Sequence, residues 1–96
     1  MRPEKAIVYV IEDEAHAEQH GQYPSLVKAL GELRRMSSIP WDQPPNLAPC
    51  TNWATCGRRY ELLIYDTSKQ PWKVLSRTPM FEISAKGVQW APESNA

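Results

Sequence analysis

Ninety-six residues suffice for one domain with a single small core. A hydrophobic fraction of 42% and a charged fraction of 23% exclude a disordered chain. Eleven Lys and Arg balance eleven Asp and Glu, so the long-range field that draws proteins to nucleic acid or to an anionic membrane is missing. The neutrality conceals a gradient: Arg2 and Lys5 stand against Glu4, Glu12, Asp13, Glu14 and Glu18, so residues 1–20 carry −3 and the remainder +3.

No apolar run approaches the roughly 18–20 residues that span a bilayer, and the opening MRPEKAIVYVIEDE has neither a long apolar stretch nor a small-residue cleavage site. A cytoplasmic protein of bacterial style is the expectation. In that compartment thiols stay reduced, so Cys50 and Cys56 are expected free, catalytic or metal-bound rather than permanently bridged.

In chain order, KAIVYVIED (5–13) is β-branched and bounded by charge, which predicts a strand apolar on both faces. EDEAHAEQHGQ then reads as a loop or a ragged strand end. Ser25 is a good N-cap, and Leu26, Ala29, Leu30 and Leu33 recur at helical spacing, predicting an amphipathic helix over about 25–36. From Ser37 to Gly57 the prolines Pro40, Pro44, Pro45 and Pro49 forbid a regular element. A connection of that length is unusual in a compact domain and points to function.

RRYELLIYDTS is the second clear strand, and PWKVLSRTPMFEIS its hairpin partner, with Pro79 either interrupting it or placing it at an edge. AKGVQW either continues past a glycine bulge or turns back as a short fourth strand, and 91–96 is a frayed tail. The fold class expected is α+β: one domain over 1–96, ordered over about 5–90, with one helix on a three- or four-stranded, mainly antiparallel sheet in the order β-α-β-β. The expected core is Ile7, Tyr9, Ile11, Leu26, Leu30, Leu33, Tyr60, Leu62, Ile64, Leu75, Phe81 and Ile83.

Three constellations could carry chemistry. His16 and His20 (H-x3-H) with Cys50 and Cys56 (C-x5-C) supply two imidazoles and two thiolates, a tetrahedral zinc set, although the cysteine spacing is wide. The bland alternative is two exposed histidines and two loop thiols. In an extended chain Glu12, Glu14, His16, Glu18 and His20 form a comb on one side, which would hold a divalent ion weakly or serve as a solvated acidic edge. Cys56 beside Arg58 and Arg59 could be an activated thiol, as in a thiol-dependent enzyme or redox sensor. C-x5-R, C-x-x-C, G-x-S-x-G and H-E-x-x-H motifs are all missing.

Trp41, Trp53, Trp72 and Trp90 lie near prolines or glycines rather than inside the clear elements. They serve either to cap a thin core or to form an interaction patch with the long loop. The phrases IPWDQPPNLAPC, CGRRYELLIYDTS and PWKVLSRTPMFEISAKGVQW resemble small uncharacterised bacterial single-domain proteins, some of the toxin-neutralising immunity kind. That resemblance implies a small binding protein and transfers no residue role.

The expected function is therefore non-enzymatic capture of another protein, without cofactor, nucleic acid or membrane. The contact residues expected are Trp41, Asp42, Trp53 and Arg58. Zinc binding through His16, His20, Cys50 and Cys56, and thiol chemistry at Cys56, stand as the alternatives.

Overall fold

A computed structural model of the chain describes residues 6–49 and 57–92. Five strands and one helix follow in the order β1 (Ile7–Asp13), β2 (Glu18–Tyr23), α1 (Leu26–Ser37), β3 (Gly57–Asp66), β4 (Lys73–Ser84) and β5 (Gly87–Trp90). The strands form one antiparallel sheet in the order β2-β1-β3-β4-β5. The α+β expectation therefore holds with five strands in place of three or four, in the order β-β-α-β-β-β.

The additional strand is β2. Its sequence, EQHGQY, has little intrinsic preference for extended structure, so it is a strand by virtue of pairing with β1 rather than by propensity. The chain reverses over residues 14–17, where Ala17 takes φ 56°, a left-handed conformation uncommon for a residue with a side chain. At the other end β5 turns back on β4, and Gly87 at φ 107° supplies a conformation that other residues adopt only under strain.

The helix begins where the sequence predicts, with the Ser25 hydroxyl accepting from the Lys28 N–H at 3.2 Å. Its buried stripe is Ala29, Leu33 and Met36, rotated from the expected one, and Leu26 is 43% exposed in the first turn. These side chains meet Ile11, Tyr60, Leu62, Phe81 and Ile83, with Tyr9, Tyr23, Leu30, Trp41 and Met80 packed around them. The register explains the set: Ile11 lies opposite Leu62 and Tyr60 opposite Phe81, so all four project to the helix-covered face. Val10 and Leu63, paired on the other face, are also fully buried, Leu63 lying opposite Arg77, whose guanidinium bonds Glu61.

Leu75, expected in the core, is 43% exposed, because β4 is exposed from Lys73 to Pro79. Pro79 does not end the strand; β4 runs through it, with a register shift opposite Tyr60 and Glu61, at a level where β5 no longer pairs. Pro is tolerated there because the missing N–H faces an edge. Gly57 opens β3 so close to β4 that a Cβ would lie 2.0 Å from the Ile83 carbonyl oxygen, which only glycine avoids.

Candidate functional site

The polar centre of the molecule grows from the end of β1. Asp13 lies opposite Glu18 of β2 and Tyr60 of β3, on the same side as Ile11, so its carboxylate is carried under the helix-covered face and is fully buried. A buried carboxylate must be bonded, and Asp13 is bonded four times. Its Oδ1 accepts from the Ala15 N–H at 3.0 Å and the Arg59 N–H at 3.1 Å. Its Oδ2 lies 2.8 Å from Arg58 Nη1 and 2.6 Å from His16 Nδ1.

Arg58 completes the centre. It is 6% exposed; Nη1 also donates to Glu18 Oε1 at 2.8 Å, and Nη2 donates to the Leu47 carbonyl at 2.5 Å. One guanidinium thus ties the β1–β2 turn, the first residues of β3 and the proline-rich segment together. The Arg58 expected at a partner surface is instead an internal clamp, because its charge is consumed by two carboxylates and a carbonyl before reaching solvent.

The same segment is held from a second side. Asn46, 1% exposed, donates from Nδ2 to the carbonyls of Met36 and Ile39, both at 2.8 Å, which ties the loop to the end of α1. Its Oδ1 accepts from the Tyr60 hydroxyl at 2.9 Å. Burial holds the Tyr60 phenol well above its ordinary pKa, so it serves as a donor under all ordinary conditions. Backbone bonds from Gln43 to Pro40, and from Asn46 and Leu47 to Gln43, make residues 40–47 a stack of turns. The long connection is not structureless there: it has fixed backbone without a regular element.

His20 enters through an irregularity. Ile11 pairs with Gly21 but Glu12 with Gln19, leaving His20 as the extra residue of a bulge that redirects its ring. The ring stands edge-on to Tyr60, centroids 5.1 Å apart and planes at 88°. Its Nε2 is buried without a hydrogen bond and lies 3.9 Å from Glu18 Oε1. The acidic comb expected from alternation is therefore broken by the turn: Glu14 pairs with Arg59 at 3.0 Å, Glu18 with Arg58, and His16 with Asp13.

These contacts set two titrations. Burial lowers the His20 pKa, the Arg58 charge adds to that, and Asp13 and Glu18 offset only part of it. For Asp13, burial pushes the carboxyl up but the Arg59 N–H, His16 and Arg58 outweigh it, so the net shift is downward. Both groups bind protons more readily in the unfolded chain, so stability is lost as pH falls. The loss starts near about pH 6.5, where an unfolded histidine protonates, and a second leg follows below about pH 4. Thermal melts across this range should show both legs, and His20→Gln should flatten the first while leaving the second; an unchanged first leg would contradict the assignment.

Of the residues singled out in the sequence, His16, His20 and Arg58 come together here. Trp41 is half-buried against the core and Asp42 is exposed. Trp41 lines an open groove of about 250 Å³ between the end of α1 and the β4–β5 turn, together with Ile39, Pro40, Ile83 and Val88. Cys50, Trp53 and Cys56 lie outside the described residues. Among the described residues no group of three His, Cys, Asp or Glu side chains is disposed to hold a metal ion, and no helix is long and apolar enough to cross a membrane.

Asp13, Asn46 and Tyr60 are the organising residues that sequence reasoning misses in this role. Asn46 carries no signal at all, being one polar residue in a polar loop. Comparison with protein-family models, with curated proteins and with solved structures yields no match, so the molecule's chemistry rests on its own residues.

Proposed function

We propose that the protein is a non-enzymatic binding module that captures another protein through the surface of residues 39–47 and the groove beside Trp41. The observation that carries this reading is the internal fixation of the loop: Asn46 and Arg58 grip it from beneath. Its outer residues, Asp42, Gln43 and the 42%-exposed Leu47, are thereby presented on a rigid backbone. A pre-ordered surface loses little conformational entropy on association, and an aromatic ring at the wall of a groove is the usual anchor of an interface. The buried ionic centre supports the same reading, because its charged groups bond one another instead of facing a cleft. A toxin-neutralising role is one form this capture could take.

The test uses exposed positions, so that folding is unaffected. Asp42→Arg combined with Leu47→Asp should weaken a captured partner's binding at least about tenfold, with an unchanged melting curve, since interface anchors are worth on the order of 1–2 kcal/mol or more. Equal binding by the variant would remove this surface from the proposal.

One observation favours a second reading. The unbonded Nε2 of His20 is the kind of group a structural zinc ion takes, with His16, Cys50 and Cys56 as the further ligands of that reading. The Arg58 cation bonded to the neighbouring carboxylates weighs against a divalent ion there. Near-stoichiometric zinc in the purified chain, and unfolding by a chelator, would favour the metal over the binding module.

A further inference from the structure

The second surface of interest is the arm formed by the end of β3 and the start of β4. Every residue from Ser68 to Pro79 is exposed. The sequence holds no Asp or Glu between Asp66 and Glu82, whereas Lys69, Lys73 and Arg77 all stand in that interval. The arm is therefore basic within a chain of zero net charge. Asp66 does not offset it at the surface: it is 8% exposed, and its Oδ1 accepts from the Ser68 N–H at 2.9 Å and the Ser68 hydroxyl at 2.6 Å.

The register builds an aromatic platform on this arm. Leu63 lies on the face away from the helix, so Tyr65, two residues on, shares that face, and Val74 lies opposite Tyr65. The Trp72 ring meets Tyr65 there, with centroids 5.6 Å apart. Trp72 remains 37% exposed and Val74 42%, so apolar surface stays open above a supporting tyrosine. Arg77 comes next along this face, opposite Leu63, with its guanidinium held by Glu61 at 2.6 Å. Lys69, between the strands, and Lys73, in the first pair of the hairpin, have no ion pair among the described residues. Two uncompensated charges thus stand at the end of the platform.

We propose that this arm is a docking surface for an acidic segment of another protein. An apolar side chain of that segment rests on Trp72 and Val74, and carboxylates beside it meet Lys69 and Lys73. Charge complementarity sets the sign of the partner, because the arm presents cations and no exposed carboxylate. The ring sets the rest: a tryptophan already packed on Tyr65 loses little freedom on binding and buries a large area.

Two other anionic surfaces fit less well. A bilayer would be met by the apex of the hairpin, and Ser68, Lys69 and Gln70 are polar there, with the apolar side chains set back along the strand. A nucleic acid would be held chiefly through its phosphates, and two free cations on a neutral chain neutralise too few of them. The arm is also remote from the loop at residues 39–47. That loop is tied to the start of β3 and lies by the end of β4, whereas the arm is the end of β3 and the start of β4. The two surfaces do not depend on each other.

A random-peptide display library, panned on the full chain with an excess of the Lys69→Glu, Lys73→Glu chain as soluble competitor, selects peptides that need the arm. Enriched peptides should carry Asp or Glu next to Leu or an aromatic residue. The best of them, made synthetically, should bind with a Kd that Lys69→Glu, Lys73→Glu raises at least about tenfold, and should weaken in about 0.5 M salt. Val74→Glu, which sets a carboxylate on the platform itself, should weaken the same peptide, whereas Val74→Lys, equally polar, should retain it. All three positions are exposed, so the melting curves should stay unchanged. No enrichment, enriched peptides without acidic residues, or binding indifferent to the charge at residue 74 overturns the proposal. So does tighter binding of an oligothymidylate or of phosphatidylserine vesicles than of the peptide, lost in the same variants.

Discussion

Replacing Asp13 by Ala should destabilise the fold by about 3–5 kcal/mol, because it leaves the Arg58 guanidinium buried without its principal counter-charge. The loss is larger than a count of one ion pair suggests, since the carboxylate also accepts from the Ala15 and Arg59 backbone N–H groups and from His16. Urea unfolding gives the measurement, with the midpoint shifted and the slope retained. The double variant Asp13→Leu, Arg58→Met removes both charges and should be less destabilised than the sum of its single changes by about 1–3 kcal/mol. Strict additivity would mean that the two groups do not act as a pair. Because Arg58 also holds the Leu47 carbonyl, Arg58→Met should loosen the proline-rich segment even where it leaves the sheet intact.

The second large effect is expected at Asn46. Its side-chain amide satisfies the carbonyls of Met36 and Ile39 and accepts from Tyr60, so Asn46→Ala strands three buried polar groups. At about 1 kcal/mol or more for each, with some rescue by water and by the Pro45 carbonyl 3.3 Å from the Tyr60 hydroxyl, the cost is about 3 kcal/mol. Hydrogen exchange should rise at Asn46 and Leu47, whose backbone N–H groups bond the Gln43 carbonyl, before it rises in β1 and β3. Partner capture should fall in parallel under the proposed function. A stability loss confined to a few tenths of a kcal/mol would show that the loop is held by other means.

Much of the framework is legible in the residues. The β-branched run at β1, the capped apolar stripe of α1 and the alternating RRYELLIYDTS each announce their element, because propensity, pattern and burial agree there. β2 is not legible: EQHGQY is polar, and its strand character comes from pairing with β1. The expected helix stripe differs from the buried one at its two ends: Leu26 is 43% exposed in the first turn, while Met36 reaches the core. Pro79 reads in the sequence as either an interruption or an edge mark; β4 runs through it, and among the described residues β5 pairs with β4 only beyond it.

The site follows the same division. Local sequence marks His16, His20 and Arg58 as chemically able, and Trp41 and Asp42 as residues of a loop with a purpose. It cannot show that Arg58 reaches a carboxylate 45 positions away, or that Asn46 crosses to the end of α1 and to Tyr60, because those meetings are made by the β1–β3 register and the return of the loop. The sequence alone determined the class of fold, the helix, the main strands and the absence of a long-range electrostatic field, all properties of neighbours in the chain or of composition. Tertiary structure alone decided which charge is buried and which loop is held from beneath, because burial and pairing depend on contacts between residues far apart in sequence.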